Sequence, residues 1–190
     1  MAYLSGEQLN NMGFKSLGKS VKVSDKASIY DADKISIGSN SRIDDFCILS
    51  GIVDIGKHVH LAPYCLLAGG EEGIYMADFS GCAYHVQIFT QSDNYSGRTL
   101  TNPTVPSKYK KEYKRRIAIG KHVIIGSSSI IFPNVVLAEG CSVGAMSLVH
   151  KSTKPWGIYS GNPAKRIKER KQDLLELEQQ FLKENNNDSI

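Results

Sequence analysis

The sequence predicts an all-β fold, a parallel β-helix of six-residue repeats with a protruding loop and a C-terminal α-helix. The 190-residue chain contains 17 glycines, and branched aliphatic residues recur at every sixth position in two runs. A period of six fits neither an α-helix nor one long strand. It fits short strands joined by tight turns, three to a coil of about 18 residues, with the coils stacked about 4.8 Å apart. The two runs are Ile37, Ile43, Leu49, Ile55, Leu61 and Leu67, then Ile119, Ile125, Ile131, Leu137, Val143 and Val149.

Composition narrows the class of protein. No apolar run reaches the roughly 18 to 20 residues of a membrane span, and the N-terminus lacks the basic start and apolar centre of a signal peptide. We therefore expect a cytoplasmic protein with no membrane insertion. The four cysteines lack paired metal-ligand spacing and are expected to be reduced, with Cys47 and Cys65 stacked one coil apart. The net charge of +4 is modest, and no motif suggests a nucleic-acid partner.

The N-terminal half is expected to begin with a helix and continue as coils. Residues 1–20 are expected to form this helix and a lead-in. Ser5 and Gln8 have the spacing of a capping box, which predicts a short helix ending near Gly13. Coils are expected over residues 21–90, because the first aliphatic run lies inside this range.

The period of six is interrupted once along the chain. After Leu67 the register is lost, and residues 91–116, which are rich in polar residues, Pro, Lys and Tyr, are expected to form a loop that leaves the prism. Coils are expected to resume over residues 117–155. Residues 156–190 contain a Gly- and Pro-bearing segment and then a helix, which the apolar pattern predicts at Lys168–Glu184. Nothing marks a domain boundary, so we expect a single domain.

The segment that follows the last coil carries a resemblance to a known family. It reads Gly161-Asn162-Pro163-Ala164-Lys165, shortly after Pro155-Trp156-Gly157-Ile158-Tyr159. Together with the period of six, it resembles the hexapeptide-repeat acyltransferases, and more narrowly the bacterial enzymes that acylate nucleotide-linked amino-deoxysugars such as dTDP-4-amino-4,6-dideoxyglucose. The resemblance implies left-handed coils and a homotrimer. It also implies acyl-CoA, most simply acetyl-CoA, as co-substrate, with no permanently bound cofactor.

The same resemblance implies which residues bind CoA, with the segment from residue 156 onward lining its slot. Lysine ammonium groups suit the phosphates of CoA, and the turns of the coils offer backbone N–H and C=O groups to the amides of pantetheine. A basic cluster of this kind is otherwise a solvated surface. The implied contacts are Ser127, Ala145, Lys151, Lys165 and Lys168.

The stretch around the start of the loop indicates the acceptor. Sugar O-acetyltransferases of this superfamily carry a general-base histidine there, whereas residues 89–97 contain none and Asp93 lies nearest to its place. A neutral amine needs little help from a base, so the resemblance implies that Asp93 orients a sugar amino group and accepts its proton. The product is expected to enter O-antigen, lipopolysaccharide or another surface glycan. The loop residues expected to bind the nucleotide sugar are Asn94, Tyr95, Ser96 and Asn102.

Other interpretations stay open. His85, just ahead of the loop, is the alternative catalytic base, in which case the protein is a sugar O-acetyltransferase. Asp93 could also do no more than cap a turn of the loop. A γ-carbonic-anhydrase-like metalloenzyme would need a closely spaced histidine pair that is absent, so no metal site is expected. A non-enzymatic scaffold would leave the Gly161–Lys165 segment unexplained. The five histidines are His58, His60, His85, His122 and His150.

Overall fold

A computed structural model describes residues 2–187 of the chain, which form a left-handed parallel β-helix of about seven turns. The predicted all-β fold with a C-terminal helix is confirmed. No helix among the described residues has the length and apolar character to span a bilayer. The helices are α1 (Gly6–Asn11) and α2 (Leu174–Asn187). The strands are β1 (Ser16–Leu17), β2 (Lys22–Val23), β3 (Ser28–Ile29), β4 (Ile35–Ile37), β5 (Arg42–Ile43), β6 (Ile48–Ile55), β7 (His60–Leu61), β8 (Leu66–Met76), β9 (Gly81–Cys82), β10 (Gln87–Phe89), β11 (Gln91–Ser92), β12 (Tyr113–Lys114), β13 (Ile117–Ile119), β14 (Ile124–Ile125), β15 (Ile130–Ile131), β16 (Val136–Leu137), β17 (Ser142–Val143), β18 (Leu148–Val149), β19 (Gly157–Ser160) and β20 (Lys165–Glu169).

The strands form three faces of a prism. Face 1 contains β3, β10, β15, β18 and the first halves of β6 and β8. Face 2 contains β1, β4, β13, β16 and the second halves of β6 and β8. Face 3 contains β2, β5, β7, β9, β14, β17 and β19, with β20 antiparallel at its edge. Neighbouring coils pair in register, as in Leu49 opposite Leu67 and Ile125 opposite Val143.

The core is the stack of aliphatic residues that the period of six predicts. All twelve residues of the two runs are buried, each with at most 4% of its surface exposed. Burying one such side chain contributes about 1.5 to 3 kcal/mol. A second buried row lies four residues after ten of the twelve aliphatics and contains small or β-branched side chains, including free, stacked Cys47 and Cys65. The hydrogen bond with Cys65 and burial together raise the pKa of the Cys47 thiol, so this thiol stays protonated and serves in packing.

The interruption of the register is narrower than the sequence predicts. Met76 follows Leu67 by nine positions instead of six, and then Cys82 and Ile88 resume the period and are buried. The extra residues form a bulge at Gly69–Gly73, where Gly70 and Gly73 adopt positive φ angles of 51° and 88°. Because the bulge lies at a corner, it lengthens the turn without displacing the strands of the two faces that the turn joins. The register is therefore lost only at this bulge and in the loop after residue 90.

Both ends of the chain partly follow the predictions. The capping box is confirmed, because Gln8 N–H donates to Ser5 Oγ at 3.2 Å and Ser5 N–H donates to Gln8 Oε1 at 2.8 Å. Strand β1 pairs with β4, so the first coil already begins within the predicted lead-in. The predicted start of the last helix at Lys168 is wrong, because β20 covers that position and α2 begins at Leu174. The edge of β19 offers backbone partners that a local pattern does not show. Residues 188–190 lie outside the described residues.

Candidate active site

Each coil turns at three corners, and a residue of left-handed backbone conformation marks most turns. Corner A lies between faces 3 and 1, corner B between faces 1 and 2, and corner C between faces 2 and 3. The marking residues of A and C have φ between 54° and 68°, which side-chain-bearing residues rarely adopt. We call them rungs. Corner A has the rungs Phe46, Tyr64, His85, Ser128 and Met146, and corner C has Ser20, Asn40, His58, Phe79, His122, Gly140 and Trp156.

The rungs of one corner are tied together by the backbone. The N–H of each rung donates to the carbonyl of the residue that precedes the previous rung. In corner A, His85 N–H donates to Pro63 O at 3.2 Å, and Ser128 N–H donates to Tyr84 O at 2.9 Å. Successive rungs therefore lie one above the other, at the spacing of neighbouring coils.

Corner A presents its side chains to solvent. The Phe46 and Tyr64 rings stack with centroids 5.0 Å apart, and Tyr64 and His85 stack at 4.7 Å with an angle of 3° between their planes. His85 is exposed, and no hydrogen bond from the described residues reaches its ring nitrogens. Above His85 come exposed Ser128 and Met146, the latter 77% exposed. Stacking thus orients the His85 imidazole, and its exposure leaves it able to act as a general base.

Two of the expected CoA contacts and the Gly161–Ala164 segment meet at corner A. Ser127 and Ala145 directly precede the rungs Ser128 and Met146, and Met146 N–H donates to Ser127 O at 2.8 Å. The segment is held there by two bonds to Leu148: Leu148 N–H donates to Gly161 O at 3.0 Å and Ala164 N–H donates to Leu148 O at 2.8 Å.

The three expected lysine contacts are spread more widely. Lys165 lies opposite Ser160, at the end of β20 that is nearest corner A, and Lys168 lies opposite Ile158, further across face 3. Both are exposed. Lys151 follows β18 and is exposed near corner B, at the other end of face 1. A single chain therefore gathers Lys165, and less closely Lys168, with corner A, but not Lys151.

Asp93 lies at the base of the loop, near corner B. Strands β11 and β12 pair antiparallel and close the neck of the loop, and Asp93 follows β11 directly. Its side chain is half-buried, and its Oδ2 accepts a long hydrogen bond of 3.4 Å from Asn102 N–H. One carboxylate oxygen thus holds the loop weakly, which leaves hydrogen-bonding capacity for a further donor. Asp93 and His85 lie at opposite ends of face 1 and do not meet within one chain.

The loop residues expected to bind the sugar mostly shape the loop itself. Asn94 Oδ1 accepts from Ser96 N–H at 2.9 Å, and Asn102 Oδ1 accepts from Thr104 N–H at 2.9 Å. These are Asx turns. Ser96 Oγ accepts from Arg98 N–H at 3.3 Å. Tyr95, in contrast, is 88% exposed and presents its ring to whatever approaches the loop.

Thr90 is a residue that the sequence did not point to. It is buried, and its hydroxyl donates to Gly69 O at 2.7 Å, within the bulge. Its carbonyl accepts from Arg115 N–H at 2.9 Å. Thr90 therefore connects the bulge with both ends of the loop that carries Asp93. A buried hydroxyl three residues before Asp93 has no distinguishing pattern in the sequence.

Helix α2 packs against corner C, at the end of face 3 opposite corner A. His122 Nε2 and Glu178 Oε2 are 2.9 Å apart, and Lys121 Nζ lies 2.5 Å from Glu178 Oε1. Phe181 contacts the His58 and Phe79 rings edge-on. Between α2 and face 3 runs a mostly apolar groove of about 660 Å3, which reaches Ala83 and Tyr84.

The histidines take separate places in the fold. His58 and His122 are rungs of corner C, and His85 is a rung of corner A. His60 lies on face 3, with its Nε2 2.8 Å from Oδ2 of the buried Asp44. His150 is exposed after β18. Within the described residues, no group of three His, Cys, Asp or Glu side chains is close enough to hold a metal ion.

Comparison with known proteins assigns the family. No family model matches the chain. It is 46% identical over 184 residues to a dTDP-4-amino-4,6-dideoxy-D-glucose acyltransferase of Escherichia coli, and the match covers 95% of both chains. The chain belongs to this acyltransferase family. It is also 35% identical over 130 residues to a probable macrolide acetyltransferase of Lysinibacillus sphaericus, covering 65% of this chain and 69% of the relative.

Solved structures support the acyltransferase assignment. AntD, an N-acyltransferase from Bacillus cereus in complex with dTDP and 3-hydroxybutyryl-CoA, is 50% identical with a TM-score of 0.96, covering 97% of this chain and 98% of AntD. A form of AntD in which one serine is replaced by alanine, in complex with dTDP-4-amino-4,6-dideoxyglucose and CoA, is 51% identical with a TM-score of 0.95. The match covers 96% of this chain and 98% of AntD. A maltose O-acetyltransferase from Clostridium difficile 630, at 24% identity and TM-score 0.59 over 87% and 74%, shares the fold.

Proposed function

We propose that this acyltransferase moves an acyl group from acyl-CoA to the 4-amino group of a nucleotide-linked 4-amino-4,6-dideoxyhexose. The observation that carries the proposal is the 46% identity along 95% of both chains to a relative named for that sugar. The aspartate at the base of the loop, in a stretch without histidine, supports an amine acceptor over a hydroxyl.

The chemistry is an aminolysis of a thioester. The neutral amine attacks the acyl carbon, a C–N bond forms, and the carbonyl oxygen carries the negative charge of the tetrahedral intermediate. The C–S bond then breaks, CoA leaves as the thiolate, and the nitrogen loses a proton. Asp93 orients the amine and accepts that proton, directly or through water, because its carboxylate is only weakly engaged by Asn102 N–H. The products are an amide and CoA.

CoA is proposed to lie along corner A. Ser127 and Ala145 offer main-chain groups of two consecutive turns, next to the Gly161–Ala164 segment. Lys165 and Lys168 supply positive charge for the phosphates from β20. In this arrangement the thioester end approaches His85 and the nucleotide end lies towards β20.

A homotrimer is proposed to complete the site. Asp93 near corner B and the CoA contacts at corner A lie at opposite ends of face 1, so they meet only if the loop of one chain reaches corner A of another. The half-exposed aromatic rungs Phe46 and Tyr64 support a contact there, because a protein surface seldom leaves stacked rings in solvent. Lys151, near corner B, then joins the CoA site of a neighbour. A backbone N–H of the adjacent coil stabilises the oxyanion.

The proposed setting is the cytoplasm, with the product entering O-antigen, lipopolysaccharide or another surface glycan. The four free, buried cysteines support a reducing compartment. Asn94, Tyr95, Ser96 and Asn102 are proposed to line the sugar side of the loop, with Tyr95 as the exposed ring that contacts the nucleotide sugar.

A second candidate is O-acylation of a sugar hydroxyl with His85 as base, favoured by one observation. The His85 ring is exposed and its nitrogens receive no hydrogen bond from the described residues. A hydroxyl needs a base of this kind, because its pKa lies far above 7.

The test compares two acceptors and two variants. Purified protein is given acetyl-CoA with dTDP-4-amino-4,6-dideoxyglucose or with its 4-hydroxy counterpart, and thiol release is measured. We expect turnover of the amine only, with kcat lowered by about 100-fold in Asp93→Asn and less than tenfold in His85→Ala. Preferred turnover of the hydroxyl compound, or a larger loss in His85→Ala, would favour O-acylation.

A further inference from the structure

Corner A carries rings on three consecutive rungs and then stops. Phe46, Tyr64 and His85 stack on one another, and the next rung is Ser128. One face of the His85 ring is covered by Tyr64, so the opposite face points along the prism towards Ser128. The backbone does not explain the change, because Ser128 has a φ of 59°, the same as His85.

The missing ring leaves a slot beside the prism. Neighbouring coils are about 4.8 Å apart, so the rungs His85 and Met146 are separated by about 9.6 Å. Met146 is 77% exposed, so few atoms of the chain cover its side chain. At corner C the corresponding small rung is Gly140, and there the Trp156 indole occupies the place a side chain would take. The Ser128 slot of corner A is thus open where its counterpart is closed.

The walls of the Ser128 slot suit a short, uncharged chain. They are the face of an imidazole, a thioether and one hydroxyl. Ser127 and Ala145, the proposed CoA contacts, belong to the same two turns. The Ser128 hydroxyl is exposed and receives no hydrogen bond from the described residues, so it is available to a polar group on the chain. The lysines that suit phosphate are not on these rungs: Lys165 and Lys168 lie on β20, with Lys165 at its corner A end, and Lys151 lies near corner B.

We infer that the Ser128 slot receives the acyl group of the acyl-CoA, so that Ser128 determines which acyl chain is transferred. The inference rests on the proposed function, because it takes the thioester to lie along corner A. A chain lying between the His85 face and Met146 gains apolar contact with each added carbon. A hydroxyl on that chain pairs with Ser128 Oγ. The slot therefore selects a short acyl chain with a hydroxyl substituent.

The test fills the slot with the ring that the earlier rungs carry. Ser128→Phe adds a phenyl group at a position with a φ of 59°. Phe46, with a φ of 61°, shows that this backbone conformation accommodates phenylalanine. Ser20→Phe is the matched control, because Ser20 is an exposed serine with a φ of 56° in the first coil. We measure kcat/KM for acetyl-CoA and butyryl-CoA with the amino sugar. Ser128→Phe should lower the butyryl to acetyl ratio at least about tenfold, and Ser20→Phe should leave it unchanged.

A second variant tests the hydroxyl. Ser128→Ala keeps the slot open but removes the hydrogen bond, so the preference for 3-hydroxybutyryl-CoA over butyryl-CoA should fall about five- to tenfold. Butyryl-CoA carries no hydroxyl to pair with Ser128 Oγ, so its kcat/KM should fall less than that of 3-hydroxybutyryl-CoA.

Dissociation constants for acetyl-CoA, butyryl-CoA and 3-hydroxybutyryl-CoA are also measured, by calorimetry without the sugar. They separate a failure of the Ser128 slot from a failure of the proposed function. If the unaltered protein transfers no acyl group to the amino sugar, the proposed function fails, and the ratios of dissociation constants still test the slot. The inference is overturned if Ser128→Phe weakens all three compounds equally, or if neither substitution changes any ratio.

Discussion

Corners A and C of the prism share one backbone and differ in what their side chains do. Both consist of rungs with φ between 54° and 68°, tied by the same hydrogen bonds from coil to coil. At corner C the rings of His58, Phe79, His122 and Trp156 form a row, and Phe181 of α2 contacts the first two edge-on. At corner A the row ends at His85 and is left exposed by the chain's own residues. A repeated backbone thus builds a stabilising edge and an open edge from the same turn.

The difference in stability between the two corners should be largest for a ring that is stacked between two others. Phe79 is stacked between His58 and His122, and Tyr64 between Phe46 and His85. Phe79→Ala should lower the free energy of unfolding by about 3 kcal/mol, because it also removes the contact with Phe181. Tyr64→Ala should cost about 1 kcal/mol, since Tyr64 is half-exposed. Urea unfolding at one protein concentration measures both, and equal losses would show that corner C is no more stabilising than corner A.

Thr90 should matter more for catalysis than any residue of corner C. Thr90→Val removes the hydroxyl that bonds Gly69 O, leaving a buried carbonyl unpaired at about 1 to 3 kcal/mol. Because Thr90 holds the base of the loop, kcat should fall about tenfold while KM for acyl-CoA changes less than twofold. Thr90→Ser restores the hydroxyl and should recover most of kcat. Similar kcat values for the Ser and Val variants would mean that the hydroxyl does not position Asp93.

The rungs were within reach of the sequence, although only the core was predicted. Each rung of corners A and C lies three positions before a buried core residue, as Tyr64 does before Leu67 and His122 before Ile125. The two aliphatic runs therefore locate the rungs of the coils that they cover, such as Tyr64 and Ser128. They do not locate His85, because Ile88 lies beyond the bulge that shifts the count.

Other features depend on contacts that no local pattern records. The Gly69–Gly73 bulge hid the coil that contains Met76 and Cys82, because three added residues shift the count. Strand β20 resembles a helix start in sequence and is a strand because β19 offers it a free edge. The separation of Asp93 from His85 along face 1 follows from the direction of β10, which only the coil geometry fixes.

Glu178 provides a test of the closed corner by pH. Burial disfavours its charge, but hydrogen bonds from Lys121 and His122 hold the pKa of Glu178 below its ordinary value of 4.5. A carboxylate with a lowered pKa stabilises the fold above its unfolded pKa, and this stabilisation is lost as the pH falls through the folded pKa. Glu178→Gln should therefore cost about 1 to 2 kcal/mol at pH 7, and the difference should shrink below pH 4.5. Glu176→Gln, on the exposed side of α2, is the control and should change stability little at either pH.

The smallest expected effect concerns the charges that flank the open corner. Lys165 lies at the corner A end of β20 and is exposed, so its attraction for a CoA phosphate is screened by water and salt. Lys165→Ala should raise KM for acyl-CoA about three- to fivefold, leave kcat unchanged, and weaken the dependence of KM on ionic strength. Lys57→Ala removes another exposed lysine, beside corner C, and should leave KM unchanged. If the two variants raise KM alike, the net charge of the protein attracts CoA and corner A has no special part in binding it. A rise confined to Lys165→Ala means that the phosphates of CoA lie at corner A.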